Sequence, residues 1–305
     1  MEAKLTSAMI KTGLLMAAMT GLFLVLGYLV GGPLGVVIAF AIAAGMNAYA
    51  FWNSDQLALK WHGARVVTSA SAPALHRMVA DLSQRADLPM PGVYVIDSDQ
   101  PNAFATGRSP DKAAVAVTTG LMRILSEEEL AGVVAHELAH IKNRDTLIMT
   151  ISATVAGAIS FVAQYAIYFR GRNGAAGLAA SIIAMILAPL AATLIQMLIS
   201  RTREYAADRA GGEICGNPIW LAGALKKISS SAPSLPMQSA EEHPASAHLF
   251  IYNPLTGGGI DNLFWTHPKA ENRIAKLVQQ AEEMRRLSRL ASDGAWDLPK
   301  SRKQY

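Results

Sequence analysis

The sequence predicts a mainly helical, multi-pass membrane protein that carries a small α+β domain, and three observations lead there. Of the 305 residues, 51% are hydrophobic and only 16% charged, whereas soluble domains carry about 25% charged residues. The deficit is concentrated in four runs, residues 12–30, 34–51, 146–169 and 173–200, which contain no Asp, Glu, Lys or Arg. The intervening stretch 52–145 and the final stretch 201–305 are polar and read as two halves of one folded domain.

Each apolar run is long enough to cross a bilayer, which takes about 17 to 25 helical residues. One such run alone could be a buried core helix, but four in a chain of this size point to two transmembrane pairs. The first two runs are separated by Gly31, Gly32 and Pro33, a tight turn rather than a signal-peptide cleavage region, so residues 1–51 read as a retained hairpin. Residues 146–200 form the second pair, with Gln164, Pro189 and Gln196 as its polar or helix-breaking members. Most of the 27 Lys and Arg lie in the two polar stretches. The positive-inside rule therefore assigns both stretches and both termini to the cytoplasm. Arg170 and Arg172, between the third and fourth runs, oppose that assignment. Topology accounts for the net charge of +4, and no nucleic-acid partner is needed to explain it. The single cysteine, Cys215, excludes an intramolecular disulfide and reads as a small buried residue.

Within 52–145, helical spacing of Leu75, Met78, Val79 and Leu82 predicts a helix over 74–86. Residues 93–96 and 113–118 read as strands from their β-branched and alternating character. Ser126 and Glu129 form a capping box in front of the apolar segment 130–141, which is therefore a helix. In the second half, residues 203–211 read as a helix stopped by Gly211 and Gly212, and 222–228 as another. The Ser, Pro, Gly and Ala content of 229–259 predicts a mobile loop near the site. Pro268 opens a long amphipathic helix over 270–290 with Ile274, Leu277, Val278 and Ala281 on one face, and the last dozen residues read as a frayed tail.

His136, Glu137 and His140 spell H-E-x-x-H on the helix after the capping box. Residues four apart share a helix face, so both imidazoles can reach one zinc at about 2.0 to 2.1 Å while Glu137 takes a proton from the attacking water. The pentapeptide alone arises by chance in about one chain in a hundred, so its setting matters. Two surface histidines would not be surrounded by Val133, Val134, Ala135, Leu138, Ala139 and Ile141, because buried polar groups without partners are costly. A catalytic zinc needs a third protein ligand, and Glu204 is the best candidate. Asp208, one turn further, could accept the free N–H of a ligand histidine. Without the histidine motif, Glu204 and Asp208 would read as a solvated face pairing with Arg201 and Arg209. Two apolar runs separate His140 from Glu204, an even number, so the ligands return to one membrane face.

Four segments carry a resemblance to a known family: DQPNAFATG at 99–107, AHELAHIKNRD at 135–145, SRTREYAAD at 200–208, and Thr266-His267-Pro268 with Arg273. Their order, interleaved with the apolar pairs, resembles the HtpX-like membrane zinc metalloproteases, distant relatives of the endopeptidases that trim prenylated CaaX proteins. The resemblance covers nearly the whole chain. It implies a small, mainly helical α+β zincin-like domain of the gluzincin type, with one Zn2+ per subunit held by His136, His140 and Glu204. It also implies Glu137 as general base, His267 as oxyanion donor supported by Arg273, and Asn102 lining the substrate cleft. The implied setting is a bacterial inner membrane, the site facing the cytoplasm, the substrates misfolded membrane polypeptides. The alternative from another class is a non-enzymatic scaffold or transporter with a structural metal, which would be closed by four protein ligands.

Overall fold

The structure is a computed structural model that describes residues 2–149, 151, 201–255 and 268–292. Most of the third and fourth apolar runs, Arg170 and Arg172, His267 and the C-terminal tail lie outside the described residues.

Helix α1 (Glu2–Trp52) is interrupted at Gly32, whose φ of 60° and ψ of −146° are not helical. A left-handed φ of this kind is open to glycine at little cost. The two arms fold back on each other: Asn47 Nδ2 donates to the Met16 carbonyl at 3.3 Å and to Thr20 Oγ1 at 3.0 Å. Gly27 and Gly35 meet so closely that a Cβ on either would strike the other's backbone. Leu14, Tyr28, Leu34, Val37 and Phe40 point outward from these arms. Among the described residues one stretch, Gly32–Tyr49, is long and apolar enough to cross a membrane.

After α2 (Ser54–Trp61), a four-stranded sheet forms from β1 (Arg65–Val66), β2 (Gly92–Ile96), β3 (Ala103–Gly107) and β4 (Ala113–Thr118). Its order is β1-β2-β4-β3, with β2 and β4 parallel and the outer pairs antiparallel. Both faces are covered, which explains the apolar character of β4 throughout. Val115 and Val117 face one core with α3 (Pro73–Arg85) and α5 (Glu127–Lys142). Ala114 and Ala116 face a second core, where their small size leaves room for Phe104 and Phe250. The short α4 (Thr119–Ile124) is capped by Thr118, and α5 by the reciprocal Ser126–Glu129 box with bonds of 2.9 and 3.3 Å. A cap of this kind stabilises a helix by about 1 kcal/mol.

The second half contributes α6 (Arg201–Cys215), α7 (Pro218–Ser231), α8 (Gln238–Glu242) and α9 (Ala270–Ser292). Gly211 and Gly212 do not end α6; they lie inside it. Their role is contact rather than termination, because a Cβ on Gly211 would come within 2.9 Å of the His136 backbone nitrogen. Gly132 plays the same part from α5, where a Cβ would approach the Leu221 nitrogen to 2.6 Å. These glycines let α6 and α7 press directly on the helix that carries the histidine motif. Cys215 is buried, as expected of a small weakly polar side chain.

The described part of 229–259 is not a mobile loop. It runs through the end of α7, two 3-10 turns and α8, and it buries Met237, Ala240, Ala247, Leu249 and Phe250. The His62 ring ties it down, with Nδ1 3.0 Å from Ser239 Oγ and Nε2 3.0 Å from Ser246 Oγ. Burial, helped by nearby His243, pushes the His62 imidazole down to about 3. A neutral ring can donate from one nitrogen and accept at the other, which suits two hydroxyl partners. In α9, Leu277 and Ala281 are buried and Ile274 packs on the core, but Val278 faces solvent; Arg273 and Gln280 complete the buried stripe.

Candidate active site

Helix α5 presents His136, Glu137 and His140, and the first turn of α6 presents Glu204; all four side chains are almost wholly buried. His136 Nε2 lies 3.2 Å from His140 Nε2. Glu204 Oε1 is 3.4 Å from His140 Nε2, and Oε2 is 3.8 Å from His136 Nε2. One ligand atom from each of the three residues falls within 4.8 Å of the others.

Each imidazole has a carboxylate behind it. His136 Nδ1 lies 3.0 Å from Asp208 Oδ1, and His140 Nδ1 lies 3.2 Å from Asp145 Oδ2. Asp208 is gripped in turn by Arg273, with Nε 2.9 Å from Oδ2 and the terminal NH2 nitrogen 2.7 Å from Oδ1. Burial alone would raise the Asp208 carboxyl, but Arg273 and His136 outweigh it and hold it below the usual range. Arg273 also donates to the Ile251 carbonyl at 3.1 Å and comes within 3.7 Å of Glu204.

This arrangement fits a zinc ion. If each Nδ1 directs its proton at its carboxylate, both Nε2 lone pairs converge, a tautomer assignment made from the partners. Two lone pairs 3.2 Å apart repel unless a proton or a metal cation lies between them. Two nitrogens bound tetrahedrally at 2.0 to 2.1 Å would sit about 3.3 Å apart. The anionic surroundings carry the same demand: although burial lowers the His140 pKa, Asp145, Glu204 and Glu137 raise it to about 9. Three protein donors are also the number a catalytic zinc takes, with one position left open.

Glu137 sits beside this cluster, close enough to the Ala105 backbone on β3 for that N–H to favour its charged form. Burial pushes Glu137 up to about 7; His140, Arg273 and that N–H pull the other way, while Glu204 adds to the rise. A cation at the triad would add a further pull downward.

The structure brings together six of the eight residues singled out in the sequence: His136, Glu137, His140, Glu204, Asp208 and Arg273. Asn102 is wholly buried at the start of β3. Its amide donates to the Tyr252 carbonyl at 2.8 Å and its oxygen accepts from the Tyr252 N–H at 3.3 Å. Asn102 thus holds the 250–252 segment along the β3 edge, where Ile251 N–H donates to the Ala103 carbonyl. His267 lies outside the described residues. The partner of Asp208 is Arg273, whereas Arg209 pairs with Glu213 and Glu283 on the surface. Asp145 received no role from the sequence; a carboxylate just past a zinc-motif helix was the signal available.

A pair of histidines one turn apart, a glutamate between them and a third donor from a packed helix define a metallopeptidase. The model of peptidase family M48 matches residues 69–281, and the chain belongs to that family. The crystal structure of S. mikatae Ste24p is also similar, with 17% identity and a TM-score of 0.45 over 91% of this chain and 67% of that one.

Proposed function

We propose that this M48 peptidase is a membrane-bound zinc endopeptidase of the HtpX-like kind, cutting misfolded membrane polypeptides on the cytoplasmic side of a bacterial inner membrane. The observation that carries the proposal is the buried His136–His140–Glu204 cluster with Glu137 beside it. The membrane setting is supported by the apolar stretch Gly32–Tyr49, which is only 11% buried, and by the uncharged runs between His140 and Glu204.

The chemistry supplied by zinc when bound is polarisation of the scissile carbonyl and acidification of the attacking water. Glu137 accepts the water proton and returns it to the leaving amine. The Ala105 backbone on β3 favours the charged form of the Glu137 carboxylate against the burial that opposes it. His136 and His140 keep Nε2 free for the metal because their Nδ1 atoms face Asp208 and Asp145. His267 is the proposed donor to the oxyanion, a contribution of about 3 to 4 kcal/mol for one good donor.

The detergent-purified full chain should cleave an unfolded membrane protein, lose that activity in a zinc chelator and regain it on adding zinc. Cleavage that is indifferent to the chelator would refute the zinc assignment. Zinc binding without cleavage of any polypeptide would favour the scaffold with a structural metal.

A further inference from the structure

We infer that Asp145 is the positioning residue for the second zinc ligand, taking the Nδ1 proton of His140 and tying that ligand to the turn of α6 that carries the third. The inference rests on the zinc reading above and extends it to a residue with no assigned role.

Three features converge on this carboxylate. Asp145 is mostly buried, and its Oδ2 lies 3.2 Å from His140 Nδ1. Its other oxygen lies 3.7 Å from Arg203 Nε, and Arg203 immediately precedes Glu204 on α6. One carboxylate therefore spans from the last turn of α5 to the first turn of α6. The backbone between α5 and Asp145 is also unusual: α5 ends at Lys142, Asn143 caps it, and Arg144 has a φ of 62°. A non-glycine residue rarely adopts that left-handed conformation. It turns the chain sharply after the helix, so a residue five positions beyond His140 can point back at it.

A plain helix-start aspartate is the competing explanation, since acidic residues favour helix N-termini. Such a residue faces solvent, whereas Asp145 is directed inward at an imidazole and paired with a largely buried arginine. The arrangement also repeats the one on the first ligand, where Asp208 faces His136 and is held by Arg273. Each ligand histidine thus has its own carboxylate and its own arginine. A carboxylate in this place fixes the tautomer, holds the ring plane and raises the basicity of the metal-binding nitrogen.

The test compares the full chain in detergent with Asp145→Ala and Asp145→Asn. Zinc affinity is measured by competition with a chromophoric chelator, and ligand geometry by the visible spectrum of the cobalt(II)-substituted protein. Asp145→Ala should weaken zinc binding by about 10- to 100-fold and shift the cobalt bands. Asp145→Asn keeps an acceptor oxygen without the charge and should fall between. A residue serving only the helix start would lower the melting temperature of the metal-free protein and leave affinity and cobalt spectrum unchanged. A folded Asp145→Ala protein that binds zinc within about twofold of the unsubstituted chain overturns the inference. If that variant does not fold, Asp145→Asn decides on the same criterion. Failure of the unsubstituted chain to bind zinc would instead remove the underlying reading, and this inference with it.

Discussion

Glu137→Gln is expected to keep its zinc and lose about 10²- to 10⁴-fold in turnover, the range for removing a positioned general base. The amide has the shape of the carboxylate and fits the same buried position. It cannot take a proton from water. Folding should survive, because the substitution removes a desolvated carboxylate that burial already drives toward the neutral form. The same base predicts the acid limb of kcat/KM. Protonating Glu137 below its pKa removes the acceptor, so activity should rise with pH through a value at or below about 7. Single-turnover cleavage and zinc per chain, measured on the purified variant, check both statements; cleavage at the unsubstituted rate would remove Glu137 from the reaction.

Glu204→Ala should lose zinc and activity together, because two imidazoles alone hold a catalytic zinc weakly. Asp208→Ala is expected to behave differently, for a reason that only the fold reveals. Arg273 is 2% exposed, and Asp208 is its bidentate partner. Deleting that partner leaves a buried guanidinium beside His136, a loss of about 3 to 5 kcal/mol for a broken buried pair. Glu204→Ala leaves the Asp208–Arg273 pair intact and should cost far less stability. The two variants therefore separate in opposite directions: the ligand variant by zinc content, the Asp208 variant by melting temperature. If both carboxylates lay on a solvated face, neither change would cost more than about 1 kcal/mol. Zinc content and melting temperature measured side by side decide between these patterns.

The local chemistry was legible in the sequence wherever a short-range rule governs it. The capping box, the α5 helix, the β4 strand and the turn between the first two apolar runs each depend on residues a few positions apart. Histidines four apart and a carboxylate pair four apart declare a shared face in the same way. Long-range contact was not legible. Gly211 and Gly212 look like a helix stop because glycine favours helix ends, yet they stay helical because α5 and α9 press against them. The stretch after α7 has loop-like composition, and its order comes from His62 and Phe104, far earlier in the chain. Arg273 finds Asp208 across 65 positions, which no periodicity announces. Asp145 stood in view at the end of the motif segment, but its direction depends on the left-handed turn at Arg144.

The central claim is a single zinc held by His136, His140 and Glu204, and X-ray absorption at the zinc edge of the purified full chain tests it most directly. The predicted spectrum shows two imidazoles and oxygen donors at about 2.0 to 2.2 Å, with no sulfur at about 2.3 Å. In Glu204→Ala the edge signal should fall with the zinc content. A spectrum with a sulfur ligand, or one unchanged in amplitude and shape when Glu204 is removed, would contradict it.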